Sequence, residues 1–180
     1  MEMGFNKIKL LIHTVKFLRP KQVSYRLFYF SRNFLFKRNY AKKLIKDVKP
    51  LVWKNTISKS PSFLGGQKFM FLNIEHNFLN EIDWNYNASG KLWTYNLNYF
   101  DFLNQENIKK EDALFLIKNY IKSSNLLKDG FEPYPISLRC INWIKFLSEN
   151  KIQEYEINQS IYNQYRNLLH NLEYHLLANH

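Results

Sequence analysis

Apolar residues recur at helical spacing in the first and last parts of this chain and lose that rhythm in between. Over Phe5 to Leu18, Ile8, Leu11, Ile12, Val15 and Leu18 share one face. Over Lys21 to Lys37, Val23, Leu27, Phe30 and Phe34 recur at spacings of four, three and four, predicting a second helix with one buried stripe. Pro20, a residue suited to a first helical turn, separates the two. Arg26, Arg32, Lys37 and Arg38 are then left to face outward. The clearest loop covers 58–67, with Pro61 and the Gly65-Gly66 pair, and Lys68 to Ile74 reads as a short extended segment. From Asn96 the pattern returns to helix. Glu111 and Asp112 open one unit, with Ala113, Leu114, Ile117, Tyr120 and Ile121 on its apolar face, and Asp129-Gly130 close it. Pro135 opens a helix to about Asn150. A last helix, entered or capped near Ser160, carries Ile161, Tyr165, Leu168, Leu172 and Leu176 on one side. The expected fold is mainly α, with paired helices forming an open or closed α/α array. It divides into a basic helical arm (1–46), an irregular or extended connector (47–95) and a helical-hairpin region (96–180). No fixed-period repeat is visible, which disfavours a standard helical-repeat protein.

Composition narrows this picture. A chain of 180 residues with 46% hydrophobic and 23% charged residues can bury a core and lacks the signature of disorder. Aromatics reach 17%, and such rings either fill cores or form platforms for ligands. The single cysteine, Cys140, excludes an internal disulfide and reads as a buried apolar residue. Lys7, Lys9 and Lys16 interrupt the opening apolar residues, so it does not read as a cleavable signal peptide, and no run approaches the ~20 apolar residues of a membrane span. The cytoplasm is therefore the default compartment. Charge is uneven: residues 1–46 hold twelve Lys or Arg against the single acid Glu2, while the rest of the chain is balanced. Such an arm suits a membrane surface or nucleic acid, yet a solvated face packed on the main domain is the plainer reading, and nucleic acid is not the expected partner.

Chemistry concentrates in two stretches. After Gly130, Pro133 and Pro135 flank Tyr134 and lead into a helix on which Arg139, Asn142, Trp143 and Phe146 share one face. An arginine among apolar neighbours needs compensation, and two readings stand: an internal clamp with Glu132, or a cleft in which Arg139 pairs with a carboxylate or sulfate while Trp143 stacks on a sugar ring. The segment Leu92 to Leu103 gathers Trp93, Tyr95, Asn96 and Tyr99, a mixture of ring faces and amides that suits either carbohydrate or core. His13 and His76 have no evident constellation. His170 and His175 are five apart, poor spacing for two ligands on one helical face, so neither metal nor cofactor is expected. His175 and Asn179, four apart, share a face, and the chain ends on Asn179-His180.

Three stretches, Leu92 to Leu103, Gly130 to Leu147 and Gln164 to His180, resemble the N-terminal helical half of the heparinase II/III family of polysaccharide lyases. The runs Glu-Pro-Tyr-Pro-Ile-Ser-Leu-Arg (132–139) and Leu-Glu-Tyr-His-Leu-Leu-Ala-Asn-His (172–180) carry it most specifically, and Phe17-Leu-Arg-Pro-Lys-Gln is similar to a frequent family start. Departures are Asn98, where relatives often show histidine, and Ala178, where they show Gly or Asn. The resemblance implies an α/α toroid that recognises an acidic, uronic acid-containing polysaccharide for β-elimination, in which a base removes the proton alpha to a carboxylate. It assigns Asn179 to neutralising that carboxylate, a preorganised donor worth about 3 kcal/mol, with His180 assisting. It places Arg139, Trp143, Tyr134 and Trp93 as cleft lining, and the residue clusters themselves add Tyr95, Asn96, Tyr99, Glu132, Asn142 and His175 as candidate substrate-binding residues. Family members continue for several hundred residues, completing the toroid and adding a β-sandwich, and the tyrosine and histidine that move the proton lie there. The expectation is an incomplete toroid truncated at its C-terminus, inactive alone, with an acidic polysaccharide and a separately encoded C-terminal lyase portion as partners. The alternatives are a non-catalytic glycan-binding or assembly module, and a basic helical protein on a membrane surface or nucleic acid.

Overall fold

A computed structural model of the chain describes residues 10, 13, 15–35, 40–45, 51–53 and 57–174. The chain divides at Asn39/Tyr40 into two compact units, one of 1–39 with 172–180 and one of 40–171.

In the first unit, helix α1 (Pro20–Leu35) begins on the proline that ends the preceding segment. Its Tyr25 ring lies 5.0 Å from that of Tyr174, Tyr29 Oη donates to the Leu172 carbonyl at 2.6 Å, and Lys21 Nζ sits 5.7 Å above the Tyr174 ring. Arg32 is buried over the Tyr29 ring, at 4.6 Å, instead of facing outward. The expected buried stripe is reversed: Leu27, Phe30 and Phe34 are exposed. The expectation of burial fails because the tyrosine face is the one that meets Leu172 and Tyr174, while the phenylalanines stay exposed.

The second unit opens with an extended segment, 40–45, bound along the last helix. Gln159 clasps it, accepting from the Leu44 N–H at 2.8 Å and donating to the Lys42 carbonyl at 2.7 Å. A three-stranded antiparallel sheet follows, in the order β1 (Phe63–Gly65), β2 (Lys68–Phe71), β3 (Ile74–Asn77). The loop expected over 58–67 thus supplies β1 and its turn, where Gly65 and Gly66 both take positive φ. The second turn, Leu72-Asn73, has both φ values positive, matching the twist of a two-residue hairpin. Phe69 pairs with His76 and Phe71 with Ile74; alternation sends Phe69 and Phe71 into the core and leaves Lys68 outside, 2.8 Å from Glu75.

Helix α2 (Lys91–Tyr99) starts five residues before the expected helical onset at Asn96. It ends at Phe100, a fully buried residue with φ of 60°. A bulky side chain there is strained, and packing holds it: its ring stacks on Trp84 at 5.1 Å and meets Tyr120 and Trp143 edge-on at 5.2 and 5.3 Å. A 3-10 turn, Asp101–Asn104, leads to α3 (Lys110–Ser123), which carries Glu111 and Asp112 in its first turn and buries Ala113, Ile117 and Tyr120 as expected. Helix α4 (Pro133–Glu149) and α5 (Tyr155–His170) pack on one another, α3 packs on α5, and α2 on α4. The mainly α class holds, with a small sheet added. The sheet and helices share one core, in which Trp84, Trp93 and Trp143 are enclosed with Phe69, Phe71, Phe100 and Phe102.

The last helix is shorter than its apolar spacing predicts. It stops at His170, and Leu172 lies outside it. Asn171 adopts a non-helical conformation and its amide donates back to the Asn167 carbonyl at 2.8 Å, a side chain competing for the backbone acceptor that would otherwise continue the helix. Leu176 lies outside the described residues.

Candidate functional site

Gly130 and the first turns of α4 meet α2 at the most polar part of the core, built around Arg139. Its side chain is fully enclosed. Nε donates to Gln164 Oε1 at 2.6 Å, Nη1 to the Asn98 carbonyl at 3.0 Å and Nη2 to the Gly130 carbonyl at 3.0 Å, while the guanidinium lies 4.7 Å from the centre of the Tyr120 ring. Every one of these partners is formally neutral. The clamp with Glu132 does not form: among the described residues Arg139 has no ion pair. Dipoles and a ring face compensate the charge instead. The Tyr120 hydroxyl has no hydrogen-bond partner, and burial raises its pKa against the opposing influence of Arg139.

Glu132 is turned the other way. Its Oε1 accepts from Tyr95 Oη at 2.6 Å and lies 3.3 Å from Lys91 Nζ, and its Oε2 accepts from the Gly130 N–H at 2.9 Å. Burial alone would raise this carboxyl, but the hydrogen bonds from Tyr95, from Lys91 and from backbone N–H groups outweigh it and hold the pKa below the usual glutamate value. Lys91 also lies 3.2 Å from Asp129 and 5.1 Å above the Tyr95 ring, and its pKa is raised by Tyr95 and the two carboxylates. Beside this cluster the Tyr95 and Tyr99 rings are 6.4 Å apart, and Tyr134 stands edge-on to Tyr99 at 5.7 Å. Tyr134 is 56% exposed and Tyr95 partly so, while Tyr99 is buried behind them, so the surface offered to solvent is Tyr134 and the edge of Tyr95.

Asn96 lies around the helix from that face, on a separate cavity of about 350 Å³ between the hairpin and α2, with Pro61, Met70, Phe71 and Leu72 forming its apolar part. Lys59, Ser60, Ser62, Asn73 and Asp101 also line it. Asn142 holds it from inside, donating to Asp101 Oδ1 at 2.6 Å and to the Tyr99 carbonyl at 2.9 Å, and Asp101 Oδ2 is 3.7 Å from Lys59 Nζ.

The expected cleft residues therefore separate. Tyr95, Tyr99, Glu132 and Tyr134 come together on one face, and Asn96 borders the neighbouring cavity. Trp93, Arg139, Asn142 and Trp143 are enclosed. Trp93 packs edge-on to Phe71 at 5.1 Å and donates from Nε1 to the Ile74 carbonyl, and Trp143 packs edge-on to Phe100 and Tyr120. Neither indole offers a face to a sugar, and the Arg139 fork is already occupied. His175, Asn179 and His180 lie outside the described residues. Sequence reasoning missed Lys91 and Asp129. The signal was available for Lys91, which stands one helical turn before Tyr95. Asp129 required the fold. No cluster of three or more potential metal ligands occurs among the described residues.

Comparison with known proteins gives no match: no family model, curated protein or solved structure matches the chain.

Proposed function

We propose that the chain is the helical portion of a heparinase II/III-like polysaccharide lyase, with its helix pairs belonging to an α/α toroid. The observation that best supports this reading is the exposed Tyr134 ring with the partly exposed Tyr95, backed by the buried Tyr99 and set against the Lys91–Glu132 pair, with the cavity at Asn96 on the neighbouring side of the helix. Sugars bind where ring faces cover their C–H surfaces and fixed polar groups meet their hydroxyls. Glu132 is an ionised acceptor for hydroxyls, and Lys91 and Lys59 are the cations within reach of a uronic carboxylate. In this reading Asn179 supplies the amide that neutralises the reacting carboxylate, and His180, the next residue in sequence, assists.

Charge balance also favours a second reading. Lys91 faces two carboxylates, Asp129 and Glu132, so the aromatic face has no local cationic excess and suits a neutral glycan in a non-catalytic module. Titrating the full chain with a panel of uronic acid-containing and neutral polysaccharides by calorimetry, and following the ultraviolet absorbance of unsaturated uronic products, separates these. Acidic-glycan binding that Tyr134→Ala weakens about tenfold supports the lyase-type reading. Binding of neutral glycans alone selects the second. Failure to bind any glycan sinks both.

A further inference from the structure

Helix α1 presents an exposed apolar face. Tyr25 and Tyr29 turn toward Tyr174 and Leu172, which leaves the opposite side to Leu27, Phe30 and Phe34, exposed by 63, 73 and 82%. Phe28 and Leu35 are exposed beside them. Arg26 stands one turn before Phe30, on the edge of this stripe, and is exposed. The helix lies in a sequence region where twelve Lys or Arg face one acid.

We propose that α1 docks on an anionic lipid bilayer. It lies in the plane of the surface, with Leu27, Phe30 and Phe34 entering the boundary between headgroups and acyl chains, Arg26 at the edge of the stripe meeting lipid phosphates, and the basic composition of residues 1–46 drawing the region to an anionic surface. Apolar aromatic burial and electrostatic attraction are the two components of interfacial helix binding, and α1 carries both. Sixteen residues make a helix about 24 Å long, and no described helix is long and apolar enough to cross a membrane, so the geometry is surface docking. Charge selects this occupant over the others. A second copy would bring the same basic region against itself. Nucleic acid would satisfy the cations but leave a stripe of phenyl rings and leucine without apolar cover.

The test is co-sedimentation of the full chain with vesicles of phosphatidylcholine alone or of phosphatidylcholine mixed with phosphatidylglycerol. Binding should require the anionic lipid and weaken as salt rises. Phe30→Ser combined with Phe34→Ser should reduce partitioning at least about tenfold, and Arg26→Glu several-fold. Because Phe30 and Phe34 are exposed, circular dichroism should show the fold intact in the double serine variant, and the same measurement checks it for Arg26→Glu. Wild-type protein that binds no vesicle overturns the proposal, as does vesicle binding unchanged by the double serine variant. A dimer, or retention on single-stranded DNA, that the serine variant abolishes while vesicles are ignored assigns the face to another occupant and overturns it equally.

Discussion

Helices α1 and α4 are nearly the same length, sixteen and seventeen residues, and each mixes aromatics, aliphatics and arginine. Helix α4 turns its Ile136, Trp143 and Phe146 inward and takes Arg139 in with them. Helix α1 does the opposite, burying Arg32 beside its tyrosines and exposing its phenylalanines. The difference lies in what surrounds each helix. Around α4, the neighbouring segments present carbonyls, an amide and a tyrosine ring in the geometry a guanidinium needs, so the polar residue enters without breaking the apolar packing. Around α1, Leu172 and Tyr174 offer a carbonyl and a ring, which suit tyrosine better than phenylalanine. An apolar stripe marks a face in want of cover; the neighbours decide whether it is covered from within.

That contrast can be broken most strongly at Arg139. Arg139→Ala strips donors from Gln164, Asn98 and Gly130 and leaves a cavity, and should lower the unfolding free energy by about 4 kcal/mol in urea titration. A loss below about 1 kcal/mol would show that water replaces the guanidinium freely. Next comes Gly130→Ala. Gly130 has φ of 85°, and a Cβ there would stand 2.5 Å from Asn98 Oδ1, so a loss of about 2 to 3 kcal/mol is expected. Asn98→Ala is itself costly, since its buried amide donates to the Trp84 and Thr94 carbonyls, but in that background the added cost of Gly130→Ala should shrink by the steric part only, because the backbone strain remains.

A smaller effect concerns pH at the open face. Glu132 has a lowered pKa in the folded state, so its contribution is present above the unfolded glutamate value and is lost as pH falls through the folded one. Half-exposed and screened, it is worth under about 1 kcal/mol. Wild type minus Glu132→Gln stability, measured from pH 7 to 3, should shrink toward the acid end; a flat difference would mean that the Lys91 and Tyr95 contacts add nothing. Smallest of all is Phe34→Ser in α1. With 82% of Phe34 exposed, thermal unfolding should change by no more than about 0.5 kcal/mol, whereas a loss of 2 or more would reveal an internal partner for the stripe.

Much of this was readable from spacing. The turn at Gly65-Gly66 and most of the buried face of α3 follow from local rules about glycine, capping charge and period, whereas α3 ends at Ser123, short of the expected close at Asp129-Gly130. The assignments that changed depended on distant partners. Trp93 and Trp143 look equally suited to core and to sugar platform until Phe71, Phe100 and Tyr120 are brought against them. Arg139 was recognised as needing compensation, but Gln164 lies 25 residues away and the Asn98 carbonyl 41, and backbone acceptors leave no mark in a sequence. Glu132, seven residues before Arg139, was the visible partner, and the fold spends it on Lys91 and Tyr95.

Those same separations say when in folding Arg139 can be satisfied. Its three acceptors come from Asn98, from Gly130 and from the last helix, and the guanidinium should keep its water until all have arrived. Arg139 then behaves as a latch closed late, after α2, α4 and α5 have met. Substitutions there should leave the folding rate nearly unchanged and hasten unfolding, so the residue that resembles a ligand-binding arginine governs how long the folded state lasts.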